Sequence, residues 1–442
     1  MLDESTIAPN DGFCDLDPDL RLSAPVHAKA AAARPAKSTF VEVHPVEFSS
    51  PTLKSIWEQP NHHEAADRLY RSRIGIGPIV EPIDGEDSQV LVTILYQGDK
   101  DTRSIILSGG PADWEWPMSR FGRTHLWFLS ASVPKASRFA YTFNEEVFSW
   151  VNGREGIVLV VDLIDESNPH LASNGCSVLA LPWAPPLPST AKGRAGLPVF
   201  EIESHVLGEH RLYSLYSPPP ASGPNAGVVV FFDGEAFATG WPQHEVGPFV
   251  DMPAILDQLI AAGKIPPIFA AFVHVGDRRY EDLTGSTEYA DFVALELLPS
   301  IQNANALASS DAAKTIVAGS SLGGVCAAAC ALRHSDIIGN VLSISGSFWL
   351  GINRRTSMDP FFGECLIQTA LLQSPLLPIR FYLEVGTYEG QAFMVLPNRA
   401  VRDILLAKGY CVTYRELPGN HDYMRWQISM CAGLIDLTSD WK

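Results

Sequence analysis

The sequence predicts an α/β protein in two parts, an N-terminal β-sandwich of immunoglobulin-like size and a C-terminal domain with a doubly wound, mostly parallel sheet. Two observations predict this class. In the first half, short runs rich in β-branched and aromatic residues are separated by Gly, Pro and Asp; in the second half, fully apolar runs alternate with helical segments. We therefore predict a flexible segment over residues 1–50, the β-sandwich over 51–200 and the second domain over 201–442.

The first half contains the signals of antiparallel strands. Stretches that are acidic, Pro-rich or Ala-rich, without periodicity, begin the chain and predict a flexible lead-in. The segment SIWEQPNHHEAADRLYRSR follows and is predicted to be helical in its second half. Five runs are then typical of strands: VLVTILYQG, TRSIILSGG, HLWFLSASV, SRFAYTF and GIVLVVDL. A Pro-rich segment, LALPWAPPLPSTAKGRAGLP, marks the domain boundary.

The second half alternates buried strands with helices. The strands are AGVVVFFDG, PIFAAFVHVG, KTIVAG, NVLSISG, PIRFYLEVG and YCVTYREL. Between them lie helical segments such as PAILDQLIAAG, YADFVALELLPSIQ and NRAVRDILLAKG. Strands that are apolar on both faces indicate a parallel sheet covered by helices on both sides. The carboxyl ends of such strands meet at one edge, where open α/β sheets bind ligands.

Composition excludes several functional classes. The formal net charge of −18 and the sequence pI of about 5.0 argue against binding to nucleic acid or to an anionic membrane surface. The 7 cysteines form no CxxC pair and no zinc-like spacing, so we predict no metal site. We also predict no cofactor. No apolar run has transmembrane length and the N-terminus lacks a signal sequence, which predicts a cytoplasmic protein.

One short motif predicts a nucleophile. The sequence Gly-Ser-Ser-Leu-Gly, residues 319–323, fits G-x-S-x-G and lies between the strand KTIVAG and a helix of small residues. This strand–turn–helix context is that of the nucleophile elbow in α/β-hydrolases, with Ser321 as the nucleophile. The competing interpretation, a Gly-rich turn in a nucleotide-binding domain, lacks both GxGxxG and GxxxxGK[ST].

A nucleophilic serine needs a base and a carboxylate that orients the base. In this fold the chain order is Ser, then Asp or Glu, then His. His421 follows the last strand and is the predicted base. For the acid, Glu389 in the loop after PIRFYLEVG ranks first and Glu384 inside that strand ranks second. Asp422 adjoins the base but has to fold back to reach it.

The reaction also needs N–H donors for the oxyanion that forms on the attacked carbonyl. The backbone of Leu322, directly after the nucleophile, is one predicted donor. The second is expected from the loop after AGVVVFFDG, at Gly234 and Glu235.

Over residues 73–442 the chain resembles the enterochelin (enterobactin) esterases. The resemblance rests on FFDGEAF, RYEDL followed by ELLP, GSSLGG, SGSFW, EVGTYEG and GNHDYMRW. It implies hydrolysis of the trilactone backbone of a ferric catecholate siderophore without a redox cofactor. It also implies catalytic positions at Ser321, Glu389 and His421, and a substrate-facing Arg279.

The sequence departs from that family's pattern at three positions. Ser320 and Leu322 differ from the usual neighbours of the nucleophile, and Ser286 stands where Asn is common. These departures leave the predicted triad intact and leave the particular siderophore open.

An anionic ferric catecholate requires a local positive patch on an acidic protein. Four arginines in loops are candidates for it: Arg278, Arg279, Arg354 and Arg355. We expect Arg279 to bind catecholate oxygens, so that Arg279→Ala weakens turnover of the ferric catecholate and spares a neutral short-chain ester. Trp349 and Trp426 are predicted to stack on the aromatic rings.

Two other functions compete with siderophore hydrolysis. The first is a general carboxylesterase or acyl-thioester hydrolase of the same superfamily. The second is a catalytically inactive carbohydrate- or ligand-binding protein, against which the complete Ser, Glu and His set argues. The sequence leaves the oligomeric state open.

Overall fold

The computed structural model describes residues 48–111, 115–151, 154–173, 175–188, 196–218, 225–240, 248–352 and 364–441. Arg354, Arg355 and nearly all of the predicted segment 1–50 lie outside these ranges. The described residues form a mixed α/β structure, so the α/β part of the prediction is confirmed. None of the helices in these ranges is long and apolar enough to cross a membrane.

The first unit consists of two short helices and a set of antiparallel strands. The helices are α1 (Pro51–Trp57) and α2 (His62–Arg73). The strands are β1 (Ile79–Ile83), β2 (Glu86–Gln97), β3 (Thr102–Gly109), β4 (Glu115–Pro117), β5 (Ser119–Arg120), β6 (Leu126–Pro134), β7 (Arg138–Val151), β8 (Arg154–Leu163) and β9 (Ser177–Ala180). One sheet has the order β1-β2-β6-β5; the other has the order β4-β3-β7-β8, with β9 also paired to β7. The two sheets share one buried core, to which Val92, Ile94, Leu107, Phe139 and Phe143 contribute.

The second unit is built around a single mixed sheet. Its strands are β10 (Val199–Ser204), β11 (Glu209–Tyr216), β12 (Gly227–Phe231), β13 (Ile268–Val273), β14 (Thr315–Ser320), β15 (Asn340–Ile344), β16 (Arg380–Gly386) and β17 (Cys411–Leu417). Their spatial order is β10-β11-β13-β12-β14-β15-β16-β17. The pairings of β11 with β10 and β13 are antiparallel, and those from β13 to β17 are parallel. Because β10 begins at Val199 and pairs with β11, it crosses the boundary predicted at residues 200/201.

Helices cover both faces of this sheet. They are α3 (Met252–Ala261), α4 (Arg279–Leu283), α5 (Thr287–Asp291), α6 (Leu298–Ala304), α7 (Leu322–Arg333), α8 (Leu366–Gln373), α9 (Leu396–Lys408) and α10 (Tyr423–Leu437). Side chains of α3 and α10 pack with Val229 and Phe231 on one face. Side chains of α4 to α9 pack with Val228 and Val230 on the other. The alternation along β12 follows from the two-residue period of a strand, and it explains why this strand is apolar throughout.

Candidate active site

The predicted site residues gather at the carboxyl edge of the parallel strands. Ser321 follows β14, Glu389 lies in the loop after β16, and His421 lies between β17 and α10. Gly234 follows β12, and Arg279 begins α4 shortly after β13. The fold therefore brings residues from five separate strand ends to one edge of the sheet.

Ser321 occupies a strained turn between β14 and α7. Its φ of 56° and ψ of −120° lie where an L-residue is disfavoured, at a cost of roughly 1–3 kcal/mol. Two main-chain hydrogen bonds hold this geometry: Ser321 N donates to Ile344 O at 3.0 Å, and Ser347 N donates to Ser321 O at 3.0 Å. A Cβ on Gly319 would lie 2.4 Å from Gly323 C, so only glycine permits the strand and helix to approach this closely.

His421 and Glu389 form a hydrogen-bonded pair. His421 Nδ1 lies 2.8 Å from Glu389 Oε2, and the Glu389 side chain is fully buried. The other oxygen, Oε1, accepts from Ser345 Oγ at 2.5 Å and from Gly386 N at 2.7 Å. Because an ionised carboxylate only accepts hydrogen bonds, this contact favours the imidazole tautomer with its proton on Nδ1, in which Nε2 is an acceptor.

Glu384, the second candidate for the acid, makes a different set of contacts. Its Oε1 accepts from Arg425 Nη2 at 2.6 Å and from the Ser429 hydroxyl, and its Oε2 accepts from Tyr382 Oη at 2.9 Å. Both side chains of the Glu384–Arg425 ion pair are buried. This geometry assigns Glu384 to the packing of α10 and favours Glu389 as the partner of His421.

The loop after β12 lies beside the nucleophile turn. Gly234 packs against β13 so tightly that a Cβ there would lie 2.5 Å from Phe272 C. Asp233, the preceding residue, has a φ of 55°, and its Oδ2 lies 3.4 Å from where a Cβ on Gly323 would be. Leu322 is the first residue of α7, so its N–H has no partner within the helix.

Arg279 forms a two-point ion pair with Asp233. Its Nε donates to Oδ1 at 2.6 Å and its Nη2 donates to Oδ2 at 2.9 Å, while the arginine side chain is 27% exposed. A bidentate pair of this kind is strong and geometrically specific. It favours a role for Arg279 in holding the loop of Asp233 over the direct substrate contact predicted from the sequence.

The two predicted stacking residues are both buried. Trp426 is 3% exposed, its ring meets that of His421 edge to face at 4.7 Å, and its Nε1 donates to Ser345 Oγ at 3.0 Å. Trp349 is 8% exposed within the core of the second unit. These contacts indicate that Trp426 supports the His421 and Glu389 pair and that Trp349 packs in the core. They argue against the predicted stacking of either ring on a substrate.

Comparison with known proteins identifies the family. The family model described as "Putative esterase" matches residues 204–437, more than half of the chain. The chain belongs to this esterase family. An iron(III) salmochelin esterase from Escherichia coli is 26% identical over 381 residues, which cover 81% of this chain and 90% of the relative. An iron(III) enterobactin esterase from Escherichia coli is 28% identical over 340 residues, covering 72% of this chain and 81% of the relative.

A solved structure shares the fold across both units of the esterase. The ferric enterobactin esterase of Salmonella typhimurium aligns with a TM-score of 0.66 at 21% identity, over 85% of this chain and 99% of that one. The resemblance to enterochelin esterases is confirmed. The protein is a carboxylic ester hydrolase.

Several residues of the site were not singled out by sequence reasoning. Ser347 Oγ lies 3.2 Å from Ser321 Oγ, and Ser345 bridges Glu389 and Trp426. Both serines lie in the segment SGSFW, which carried part of the family resemblance without an assigned role. Asp233 likewise lies in FFDGEAF. Their motifs were visible, whereas their contacts depend on the packing of neighbouring strands.

The raised pKa of Glu235 predicts that the free energy of unfolding depends on pH. Burial raises its pKa from 4.5 to about 7, Asp233 adds to the rise, and the N–H groups of Val275 and Gly276 oppose it. The unfolded chain ionises this carboxyl near 4.5 and the folded chain near 7, so its contribution to stability falls as pH rises through that window. The loss amounts to about 3 kcal/mol.

Glu235→Gln removes this titration. The free energy of unfolding of the wild type, relative to Glu235→Gln, is expected to decrease between about pH 4.5 and about pH 8. Urea denaturation across this range measures the difference. Glu203→Gln, at an exposed position of β10, is the control for loss of one surface carboxylate. A wild-type-minus-Glu235→Gln difference that stays constant with pH would contradict the prediction.

Proposed function

We propose that the esterase hydrolyses the trilactone backbone of a ferric catecholate siderophore by a Ser321–His421–Glu389 triad. The observation that carries the proposal is the 2.8 Å contact of His421 with the buried Glu389, at the same sheet edge as the strained Ser321. The names of the relatives, iron(III) salmochelin and enterobactin esterases, support the substrate class.

The proposed reaction has two halves. Ser321 Oγ attacks an ester carbonyl while His421 Nε2 takes its proton, and the negative charge on the carbonyl oxygen is met by the N–H groups of Leu322 and of Gly234 or Glu235. The imidazolium then protonates the leaving alcohol, which yields an acyl-enzyme. Water, deprotonated by the same Nε2, hydrolyses that ester and restores Ser321. Glu389 holds the imidazole and stabilises its charged form throughout.

Cutting the ester backbone is a sufficient way to weaken iron binding. Three catecholate arms on one backbone act at high effective concentration, and separated arms lose that advantage. Iron arrives bound to the substrate, and hydrolysis of an ester changes no oxidation state, so this reaction requires no redox cofactor. Cytoplasmic location, an immunoglobulin-like first unit and an α/β-hydrolase second unit remain parts of the proposal.

Steady-state kinetics on three substrates test the substrate class. We expect kcat/KM for a ferric catecholate trilactone to exceed that for a short acyl ester and for an acyl thioester by roughly two orders of magnitude, because binding energy from the catecholates is available to the reaction. Equal or lower values for the trilactone would instead support a general carboxylesterase or thioesterase.

Arg279→Ala separates two roles of this arginine. Loss of the ion pair leaves Asp233 uncompensated beside the predicted oxyanion site, so we expect kcat/KM to fall roughly 10- to 100-fold on the ferric catecholate and on a neutral short ester alike. Parallel kinetics with both substrates measure this. A loss confined to the ferric catecholate would favour direct substrate binding by Arg279.

A further inference from the structure

The loop that carries His421 is anchored to the first unit on both sides of the histidine. Asn420 Nδ2 donates to the carbonyl oxygen of Ala140 at 3.2 Å. The N–H of the same Ala140 donates to Asp422 Oδ2 at 3.2 Å. Ala140 is buried in β7, where it is paired with Val178 of β9. Both main-chain groups of one residue therefore hold the two neighbours of His421, and we call this arrangement the Ala140 anchor.

The loop that carries Glu389 also contacts the first unit. Tyr388 N donates to Gly419 O at 3.0 Å and Thr387 N donates to Leu417 O at 2.9 Å, so this loop is tied to the one that carries His421. The Tyr388 side chain packs against the hydrophobic core of the first unit. The two loops that present the acid and the base thus share one contact region on the first unit.

Within the second unit, the His421 side chain contacts Glu389 and the Trp426 ring, and the Ala140 anchor adds bonds from the first unit to the two neighbours of the histidine. Asp422 caps α10, since its Oδ1 accepts from Arg425 N at 2.8 Å, but this bond fixes the helix end rather than the preceding loop. Loop segments are more mobile than the elements that they connect. A catalytic group has to be held within a fraction of an ångström of its working position, and a misplacement of 1 Å costs about 100-fold in rate.

We propose that the first unit positions the general base of the esterase, with Asn420 and Asp422 as positioning residues that hold His421 through the main chain of Ala140. This inference rests on the proposed role of His421 and is independent of which ester is the substrate. It gives the first unit a part in catalysis that does not require contact with the siderophore.

Two substitutions remove the Ala140 anchor selectively. Asn420→Ala deletes the donor to Ala140 O. Asp422→Asn keeps an oxygen that caps α10 as well as aspartate does, but it turns an amide N–H₂ toward the N–H of Ala140. With a neutral activated short-chain ester, we expect kcat of each variant to fall roughly 10- to 100-fold while KM changes less than about threefold. The far-downfield ¹H NMR signal of the His421 Nδ1 proton, which reports its bond to Glu389, is expected to shift or broaden.

Matched variants separate this proposal from its alternatives. Ser173→Ala removes another hydrogen bond between the units, from Ser173 Oγ to Phe249 O, and is expected to keep wild-type kcat. An equal loss of kcat in Ser173→Ala would show that kcat depends on any hydrogen bond between the two units, and the specific role of the Ala140 anchor would be rejected. Wild-type kcat and an unchanged Nδ1 signal in both anchor variants would also overturn it.

The proposed function fails in a different way. If His421→Ala keeps wild-type activity on the short ester, the assignment of the base is wrong and the anchor proposal falls with it. If His421→Ala is inactive and the anchor variants lose kcat, but the wild type leaves a ferric trilactone uncut, the positioning role stands and the siderophore proposal falls.

Discussion

Ser321→Ala is expected to lower kcat for ester hydrolysis by about four to six orders of magnitude while the protein folds normally. The hydroxyl is the group that forms the acyl-enzyme, so its removal leaves only binding and oxyanion stabilisation. The backbone strain at this position, a φ of 56°, remains in the variant because alanine faces the same steric restriction as serine. Steady-state kinetics of the purified variant measures the loss of kcat, and circular dichroism measures whether it folds normally.

Ser320→Ala is the matched control for this substitution. Ser320 is the adjacent residue in the same motif, and its side chain is buried at the end of β14. We expect this variant to retain kcat within about tenfold of the wild type, because it removes no group from the proposed reaction. If Ser321→Ala retained near-wild-type activity, Ser321 would not be the nucleophile. If Ser320→Ala lost as much, the loss would reflect disruption of the turn rather than removal of the Ser321 hydroxyl.

Glu389→Gln is expected to lower kcat by about 10³- to 10⁴-fold with a much smaller effect on KM. The glutamine amide presents N–H to His421 Nδ1, which favours the imidazole tautomer that carries its proton on Nε2 and cannot act as a base. The stability of the variant should change little, because the glutamine oxygen still accepts from Ser345 and Gly386. Kinetics and thermal unfolding together measure the two effects.

Glu384→Gln is expected to show the reverse pattern. It leaves the buried guanidinium of Arg425 without its carboxylate, at a cost of about 3–5 kcal/mol in the free energy of unfolding. The remaining folded enzyme should keep most of its kcat, since the Glu384 carboxylate bonds with Arg425, Ser429 and Tyr382. A larger kcat loss in Glu384→Gln than in Glu389→Gln would transfer the role of acid to Glu384.

The sequence predicted the parts of the fold that depend on local pattern. Fully apolar strands such as Gly227–Phe231 have side chains buried on both faces, so their burial can be predicted from their amino-acid composition alone. Strands β10, at the edge of the sheet, and β11, its antiparallel neighbour, were not predicted because polar and charged residues interrupt both and neither has a fully apolar run. The short strands β4 and β5 were missed because a few residues carry no measurable periodicity.

The candidate site was predictable where chain order and strand ends determine it. The proposed roles of Ser321, Glu389 and His421 follow from the order of nucleophile, acid and base that α/β-hydrolases have along the chain. The partners of Arg279 and Trp426 were not predictable, because Asp233 and Ser345 come near them only through tertiary packing. The same applies to Ala140, which lies in a different unit from the histidine loop that it contacts.

Chromatographic analysis of the products from a ferric catecholate trilactone tests the central claim most directly. Incubation with the wild-type esterase is expected to yield the linear trimer first, followed by the dimer and the monomer, and Ser321→Ala should leave the trilactone intact. An uncut trilactone in the wild-type reaction, under conditions in which a short acyl ester is hydrolysed, would contradict siderophore hydrolysis as the function of this enzyme.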